Sequence, residues 1–441
     1  MISRRRFLEQ GSLLAGSAML ANSRAAGFGL RETSSLVDDP MNPDPQLLSR
    51  AKALMLKAPF VDTHNDLPSM FLETTAGDLS GYDMNVVQPK LCADIPRMRE
   101  GCVGVQYWSI WVDSGTQKTH NAMHEALREF DVARRFVNGY PAALEQARTA
   151  DDIERIHQAG KIACLYGVEG GHMIENSPAA LRVFYDLGAR YMTLTHWDNI
   201  DWADAATDRP LNYGLTEFGE RVVREMNRLG MFADISHVSA DTMRDTLRVS
   251  RAPVIFSHSN SFAIDPHPRC VPDDVLQMVP ANGGVVHVNF IWEFISPKYP
   301  EWNDRRTKAL TDLHARFTTD KEIADGMKAW DTTNPSPRGT ISDVADHIDH
   351  IRKVAAIDHI GIGADFYDVA PGSMVVGLEN VSRYPYLFAE LLRRGYSDED
   401  VLKIAGRNHL RAMRQMEKVA AELQKTEKPL ISESAQPQWK L

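Results

Sequence analysis

From about residue 59 onward the chain alternates short apolar runs, rich in β-branched residues, with longer stretches whose apolar residues recur at helical spacing. Eight runs stand out: "PFVDTHND", "GVQYWSIWV", "IACLYGVEGG", "YMTLTHWD", "MFADISHVS", "PVIFSHSN", "GVVHVNF" and "HIGIGADF". Near-continuous apolarity of this kind marks strands buried on both faces. Between the runs, "TEFGERVVREMNRLG" has a helical period and ends in Gly230, and "SDVADHIDHIRKVAA" places Ser342 as its cap. Strands alternating with helices imply parallel pairing through right-handed crossovers. Eight such units predict an α/β fold, a (β/α)₈ TIM-type barrel with insertions. A doubly wound open sheet fits less well, because chemically active residues end nearly every run, as they do at a barrel mouth.

The flanks read differently. "SRRRFLEQ" sets Arg4 and Arg5 between Ser3 and Phe7, and the short apolar run "GSLLAGSAMLA" follows before small residues around "NSRAA". That order resembles a twin-arginine export signal over residues 1–26, cleaved between Ser23 and Ala26, with an apolar run too short to anchor the chain. It predicts a periplasmic or secreted protein with no stable membrane insertion after cleavage. Residues 27–45 read as a polar linker, 46–415 as the barrel domain and 416–441 as a C-terminal tail. Within the domain, residues 292–337 are too long for a plain connection and contain helical pieces such as "TDLHARF". They are expected to form a lid or dimer-contact insertion over the barrel mouth.

Composition narrows the chemistry. The 441 residues are 43% hydrophobic, enough for one large core, and 49 basic against 59 acidic residues give a net charge of −10. An acidic balance argues against a nucleic-acid partner, which needs a basic face, and leaves room for a local basic pocket. The four cysteines, Cys92, Cys102, Cys164 and Cys270, lack C-x-x-C spacing and are too few to staple the chain. An oxidising compartment would permit a Cys92–Cys102 bridge.

Five residues at run ends carry metal-ligand chemistry: His64 with Asp66, Glu169, His237 and His258. Positions i and i+2 of a strand share a face, so His64 and Asp66 can reach one ion. Imidazole and carboxylate suit zinc, and the lack of cysteine ligands points to a catalytic rather than a sealed structural site. Four groups can serve one ion; five, with a bridging carboxylate, can serve two ions about 3.5–4 Å apart.

Singly, each residue carries little weight. A lone His at a strand end is more often a hydrogen-bonded structural group, the reading given to His172, His287, His347, His350, His359 and His409. Glu169 alone could be a salt-bridged barrel carboxylate. The signal is the agreement of several run ends on one rim. His196 ends the fourth run, where it can polarise a carbonyl or stabilise an oxyanion, and Asp365 ends the eighth, where it can shuttle a proton. Arg269 follows the sixth and can hold a carboxylate through its planar fork. Their bland readings are a packed His, a helix-capping Asp and a surface Arg. Competing motifs are missing: there is no H-E-x-x-H, G-x-S-x-G or Walker loop, and "GIGADF" lacks the third Gly of a dinucleotide loop.

The segments "VDTHNDLP", "GVEGGH", "RYMTLTHWDN", "GLTEFGERVVREMNRLGM", "DISHVS", "APVIFSHSNS", "VPDDVL", "DHIDHI" and "NHLRAM", in that order, resemble the renal or membrane dipeptidase family of zinc peptidases, family M19. That family is a branch of the amidohydrolase-like barrels, and the match runs from about residue 50 to 415. The resemblance implies two zinc ions per chain, His64 and Asp66 on one, His237 and His258 on the other, with Glu169 bridging. It implies attack on a dipeptide by a metal-bridging hydroxide. It gives His196 substrate binding and stabilisation of the tetrahedral intermediate, and it gives Arg269, upstream of "PDD", the substrate's carboxylate. Asp365 of the "DF" pair would relay the proton to the leaving amine. A D-residue at the C-terminal position, β-lactam opening in some members and a homodimer are further implications. The chain departs from the family at "DFYDV", where Tyr367 replaces a common second acid, at "HWDNIDWADAATD", and in the enlarged stretch after Trp292. These departures bear on side-chain preference more than on reaction type.

Two other readings compete. A metal-dependent phosphoesterase or nuclease on the same barrel would favour H-x-H on the first strand and a basic entrance, against His64-Asn65-Asp66 and the acidic net charge. A catalytically silent zinc- or peptide-binding protein would have lost His196, Asp365 or Arg269, and all three are present.

Overall fold

All eight apolar runs become strands of one closed parallel barrel in the computed structural model of the protein, which describes residues 39–368 and 372–431. The strands are β1 (Phe60–Asn65), β2 (Val103–Trp111), β3 (Leu144–Gln146), β4 (Ile162–Glu169), β5 (Ala189–Thr193), β6 (Phe232–Asp234), β7 (Ile255–Phe256), β8 (Val285–Val288) and β9 (Ile360–Ile362). The hydrogen-bonded order is β1-β2-β4-β5-β6-β7-β8-β9 and back to β1. The extra strand, β3, pairs with the first residues of β4, on the edge that β5 takes over further along. Its few residues carry no readable period, so the pattern of the chain does not announce it. The expected export signal and most of the expected linker lie outside the described residues, as does the end of the expected tail. No helix among the described residues is long and apolar enough to cross a membrane.

Burial follows the sequence pattern. β1 and β4 are buried along their whole length, as strands covered on both faces must be. Val61, Val105, Leu165, Phe232, Ile255 and Val285 form an inner cluster, joined by Leu410, Met413 and Met416 of the helix Asn408–Thr426. That helix is preceded by a turn at the N-terminal end of the barrel, where a Cβ on Gly406 would meet the Pro59 carbonyl oxygen at 2.1 Å. The boundary expected at residue 415 falls inside this helix. Met416, Val419, Ala420 and Leu423 are buried, so packing against the barrel continues to Leu423, close to the end of the helix.

Local signals set most helix ends. The helix Glu217–Leu229 starts at Thr216, whose side chain accepts the Gly219 N–H, and stops at Gly230 in the left-handed region. The helix Ile341–Ala355 departs from expectation, because its cap is Thr340 rather than Ser342. The Asp343 carboxylate accepts the Thr340 N–H at 2.6 Å and its hydroxyl at 2.8 Å, while the Ser342 hydroxyl takes Arg394 at 2.8 Å. Starting earlier brings the fully buried Ile341 into the helix.

The insertion expected over residues 292–337, with helical pieces such as "TDLHARF", contains two helices, Tyr299–Arg316 and Asp320–Thr333, packed against each other. Trp302 is the only buried residue of the first, so no apolar stripe betrays its length. Trp292 stacks edge-on against Tyr299 (4.7 Å) and Trp302 (5.3 Å), tying this hairpin to the turn that follows β8. The permitted Cys92–Cys102 bridge is absent. All four cysteines are buried free thiols, and burial pushes each of them up from its ordinary pKa.

Candidate metal centre

The residues singled out at the run ends meet at the C-terminal rim of the barrel. Glu169 is the last residue of β4; His196, His237, His258 and Asp365 lie just past β5, β6, β7 and β9. One expectation needs correction. β1 ends at Asn65, so Asp66 is not the strand partner of His64 but the residue that precedes the helix Leu67–Thr75, with Pro68 in its first turn. The two still meet, His64 Nε2 lying 3.6 Å from Asp66 Oδ2, because the start of the helix turns the carboxylate back over the rim. His237 (φ 64°) and Asp365 (φ 67°) hold left-handed backbones, each a strain of about 1–3 kcal/mol that clusters at functional sites. Backbone hydrogen bonds fix both: Ala206 donates to the His237 carbonyl (2.7 Å), and Asp365 donates to that of His64 (3.2 Å).

Glu169 occupies the centre. Its Oε2 faces His64 Nε2 at 3.5 Å; its Oε1 faces His237 Nε2 at 3.2 Å, His258 Nε2 at 3.5 Å and His196 Nε2 at 3.6 Å. Potential ligand atoms fall into three overlapping groups: His64–Glu169–His258, Glu169–His196–His237 and His64–Asp66–Asp365. His258 thus stands closer to His64 (ring centroids 3.9 Å) than to His237 (4.9 Å), and His196 joins one of the groups. Burial disfavours a charge on His64, yet the Glu169 and Asp66 carboxylates override it and raise its pKa well above the usual value. His237 is pushed the other way, first by burial and then by Arg269 and the neighbouring imidazoles. A field that would protonate His64 is a field that attracts a cation.

The donors fit a metal ion. His64 Nε2 is buried without a hydrogen-bond partner and faces three carboxylates. Its other nitrogen, Nδ1, sits 2.8 Å from the Tyr191 hydroxyl, which itself donates to the Thr63 carbonyl at 3.1 Å. Nδ1–H therefore donates to Tyr191, and the Nε2 lone pair is aimed into the site. Gly167 makes room for this, since a Cβ there would stand 1.9 Å from the Tyr191 ring. His258 is set likewise: Nδ1 meets Ser257 Oγ (2.7 Å), which donates to Asp234 (2.6 Å). Asp234 also accepts the Thr193 hydroxyl (2.5 Å) and the Ser236 and Ser257 N–H groups (3.1 and 2.8 Å). Burial raises its pKa against those hydrogen bonds. Asp62 plays the same part under β1, accepting from Tyr384, Gln106 and the Ala364 and His64 N–H groups. Replacing Tyr191 by Phe is expected to weaken metal affinity about 10–100-fold, the usual cost of losing an outer partner of a ligating His. Competition against a chromogenic chelator measures this, and an unchanged affinity would remove Tyr191 from the site.

Above the candidate metal ligands lies an open cleft of about 510 Å³ including its mouth. Glu169, His196, His237, Arg269 and Asp365 line it, as do Trp111, Trp197, Glu293, Phe294 and Tyr367. Arg269 is buried, with its Nη2 3.4 Å from the His258 carbonyl and its Nε and Nη1 without hydrogen-bond partners. Asn289 Nδ2 holds Asp365 Oδ2 at 2.9 Å, leaving Oδ1 toward His64 Nε2 at 3.8 Å. The six histidines read as structural are all hydrogen-bonded in that way; His287, for example, bridges the Phe256 carbonyl and His409. Sequence reasoning missed Trp111, Tyr191, Asp234, Asn289 and Glu293. Trp111 ends β2, Asp234 ends β6 and Asn289 directly follows β8, so all three obey the run-end rule that found the candidate ligands; Tyr191 and Glu293 had no signal short of the fold.

The sequence model of the membrane dipeptidase family, peptidase family M19, matches residues 48–427. Among solved structures the chain is similar to the probable dipeptidase PvdM from Pseudomonas aeruginosa, at 24% identity and a TM-score of 0.72, over 85% of this chain and 99% of that one. It is also similar to a metallo peptidase from Rhodobacter sphaeroides liganded with a phosphinate mimic of the dipeptide L-Ala-D-Ala, at 23% identity and a TM-score of 0.66, over 81% and 99%. At these identities the structural likeness speaks for the barrel.

Proposed function

This chain belongs to the membrane dipeptidase family, peptidase family M19, whose members are metallodipeptidases, and from that premise we propose that it is a two-zinc dipeptidase tolerant of a D-residue at the C-terminal position. The observation that carries the proposal is Glu169, whose two carboxylate oxygens face different imidazole sets, Oε2 toward His64 and Oε1 toward His237 and His258. A carboxylate placed this way is suited to bridge two ions. His64 and Asp66 would hold one, His237 and His258 the other. When bound, the ions would supply Lewis acidity to the scissile carbonyl and lower the pKa of water to a useful range.

The chain's own residues do the rest. Arg269, buried and with two guanidinium nitrogens unengaged, would take the substrate carboxylate as a charge-assisted pair. This sets the length of substrate, since a third residue would displace that carboxylate from the clamp. His196, steadied by the Trp111 indole N–H (3.2 Å to Nε2), would hydrogen-bond the oxygen that becomes negative. Asp365, oriented by Asn289, would carry the proton to the leaving amine. The Arg4-Arg5 segment supports placing the mature enzyme in the periplasm or outside the cell.

The test is a hydrolysis screen on purified protein. Dipeptides, including those with a D-residue second, are expected to be cleaved, and tripeptides and carboxyl-amidated dipeptides are not. Chelation should abolish turnover and zinc restore it, with about two ions per chain at full activity. Hydrolysis of a phosphodiester in place of dipeptides, or turnover indifferent to chelator, would overturn the proposal.

A further inference from the structure

The cleft has an acidic wall that hydrolysis itself does not use. Glu293 sits in the short 3₁₀ turn Trp292–Phe294 after β8 and lines the same cleft as Arg269 and Asp365. Its carboxyl is hydrogen-bonded to Tyr299, feels the positive charge of Arg269, and is opposed by the negative charges of Asp265 and Asp365. Burial pushes it up to about 7. Near it Asp265 is fully buried, and neither of its carboxylate oxygens has a hydrogen-bond partner. Among the described residues that line the cleft, Arg269 is the only lysine or arginine. Once a substrate carboxylate occupies Arg269, no other lysine or arginine among those residues faces this wall.

Resting on the dipeptidase reading and on Arg269 as its carboxylate clamp, we propose that Glu293 reads the side chain of the substrate's C-terminal residue and selects a basic one. The geometry follows from the substrate's covalent structure. The carboxylate and side chain of the C-terminal residue leave the same α-carbon, so a group beside the clamp meets that side chain first. Mostly apolar side chains line the same cleft: Phe294, whose ring centroid lies 5.2 Å from the Arg269 guanidinium carbon, with Ile291 and Tyr367. Such a lining suits the methylene stem of lysine or arginine, with the charged end delivered to Glu293. A basic side chain there would also offset the cost of keeping two carboxyls out of water. An acidic side chain would meet like charge in a poorly solvated site and be rejected.

The experiment compares kcat/KM of the zinc-loaded full chain on Ala-Lys, Ala-Ala, Ala-Glu and Lys-Ala, with the second residue offered as either enantiomer. Ala-Lys is expected to exceed Ala-Ala about 10-fold and Ala-Glu about 100-fold, the scale of a partly buried charge pair. E293Q should bring the Ala-Lys to Ala-Ala ratio close to one, and E293K should invert the order in favour of Ala-Glu. Thermal melting of each variant reports folding, and the E293K inversion cannot come from a general loss of structure. Equal wild-type rates on Ala-Lys and Ala-Ala would overturn the inference, as would an E293Q variant that slows all four substrates by one factor, which would assign Glu293 to the substrate's α-amine. Absence of hydrolysis for every dipeptide would instead sink the dipeptidase reading beneath it.

Discussion

Replacing Glu169 by Gln is expected to lower kcat/KM for a dipeptide by roughly three orders of magnitude, about 4 kcal/mol of transition-state stabilisation, in a chain that still folds. The substitution keeps shape and removes charge. Glutamine presents one oxygen and one NH₂ group where the carboxylate presents two acceptors, one toward His64 and the other toward His237, His258 and His196. No single amide orientation can serve both sides. Metal content should fall below two ions per chain along with activity, while the melting temperature of the metal-free protein changes little. Elemental analysis, kinetics and a thermal scan on the same preparation check all three. A Glu169→Gln variant that retained two ions and hydrolysed within tenfold of the parent would show that the carboxylate is not shared.

Replacing Asp365 by Asn separates proton transfer from metal binding. The expected loss is about 10²–10⁴ in kcat, the range of general acid–base catalysis, with KM and metal content close to the parent's. Asparagine is suited to the test because it tolerates the left-handed backbone found here, φ 67°, better than most residues. The alternative outcome is equally informative. Asp365 Oδ1 lies 3.8 Å from His64 Nε2 and belongs to one candidate ligand group with His64 and Asp66. Loss of metal in step with activity would make Asp365 a ligand, and an unchanged kcat would remove it from the mechanism.

How far the site is legible can be judged residue by residue. The eight strands are readable because burial on both faces leaves an unbroken apolar run, a local signature independent of partners. The run-end residues then point to one rim, since parallel strands in a barrel all finish at the same end. Asp66 reaches that rim by a route its spacing does not suggest: alternation along a strand predicts the contact with His64, and a helix start supplies it instead. Ser342 is not the cap because "TISD" offers three residues with capping chemistry, and burial of Ile341 favours the first, Thr340. Of the helix Tyr299–Arg316 only the end, "TDLHAR", is readable, because a mostly exposed helix has no apolar stripe to show its length.

The chain by itself determined the barrel, its C-terminal rim and the kinds of group that gather there, because each is encoded in short segments that fold against a predictable surface. Only the tertiary structure decided how those groups face one another. Tyr191 orients His64 from 127 residues away, Asn289 holds Asp365 from 76, and Glu293 lines the cleft from a turn whose sequence carries no motif. Such contacts depend on strand order and register around a closed ring, and a one-residue shift in register would send the same side chains to the opposite face. For that reason the candidate metal ligands could be nominated from "VDTHNDLP" and its counterparts, whereas the hydrogen bonds that aim them, and the acidic wall proposed to read the substrate, exist only once the barrel has closed.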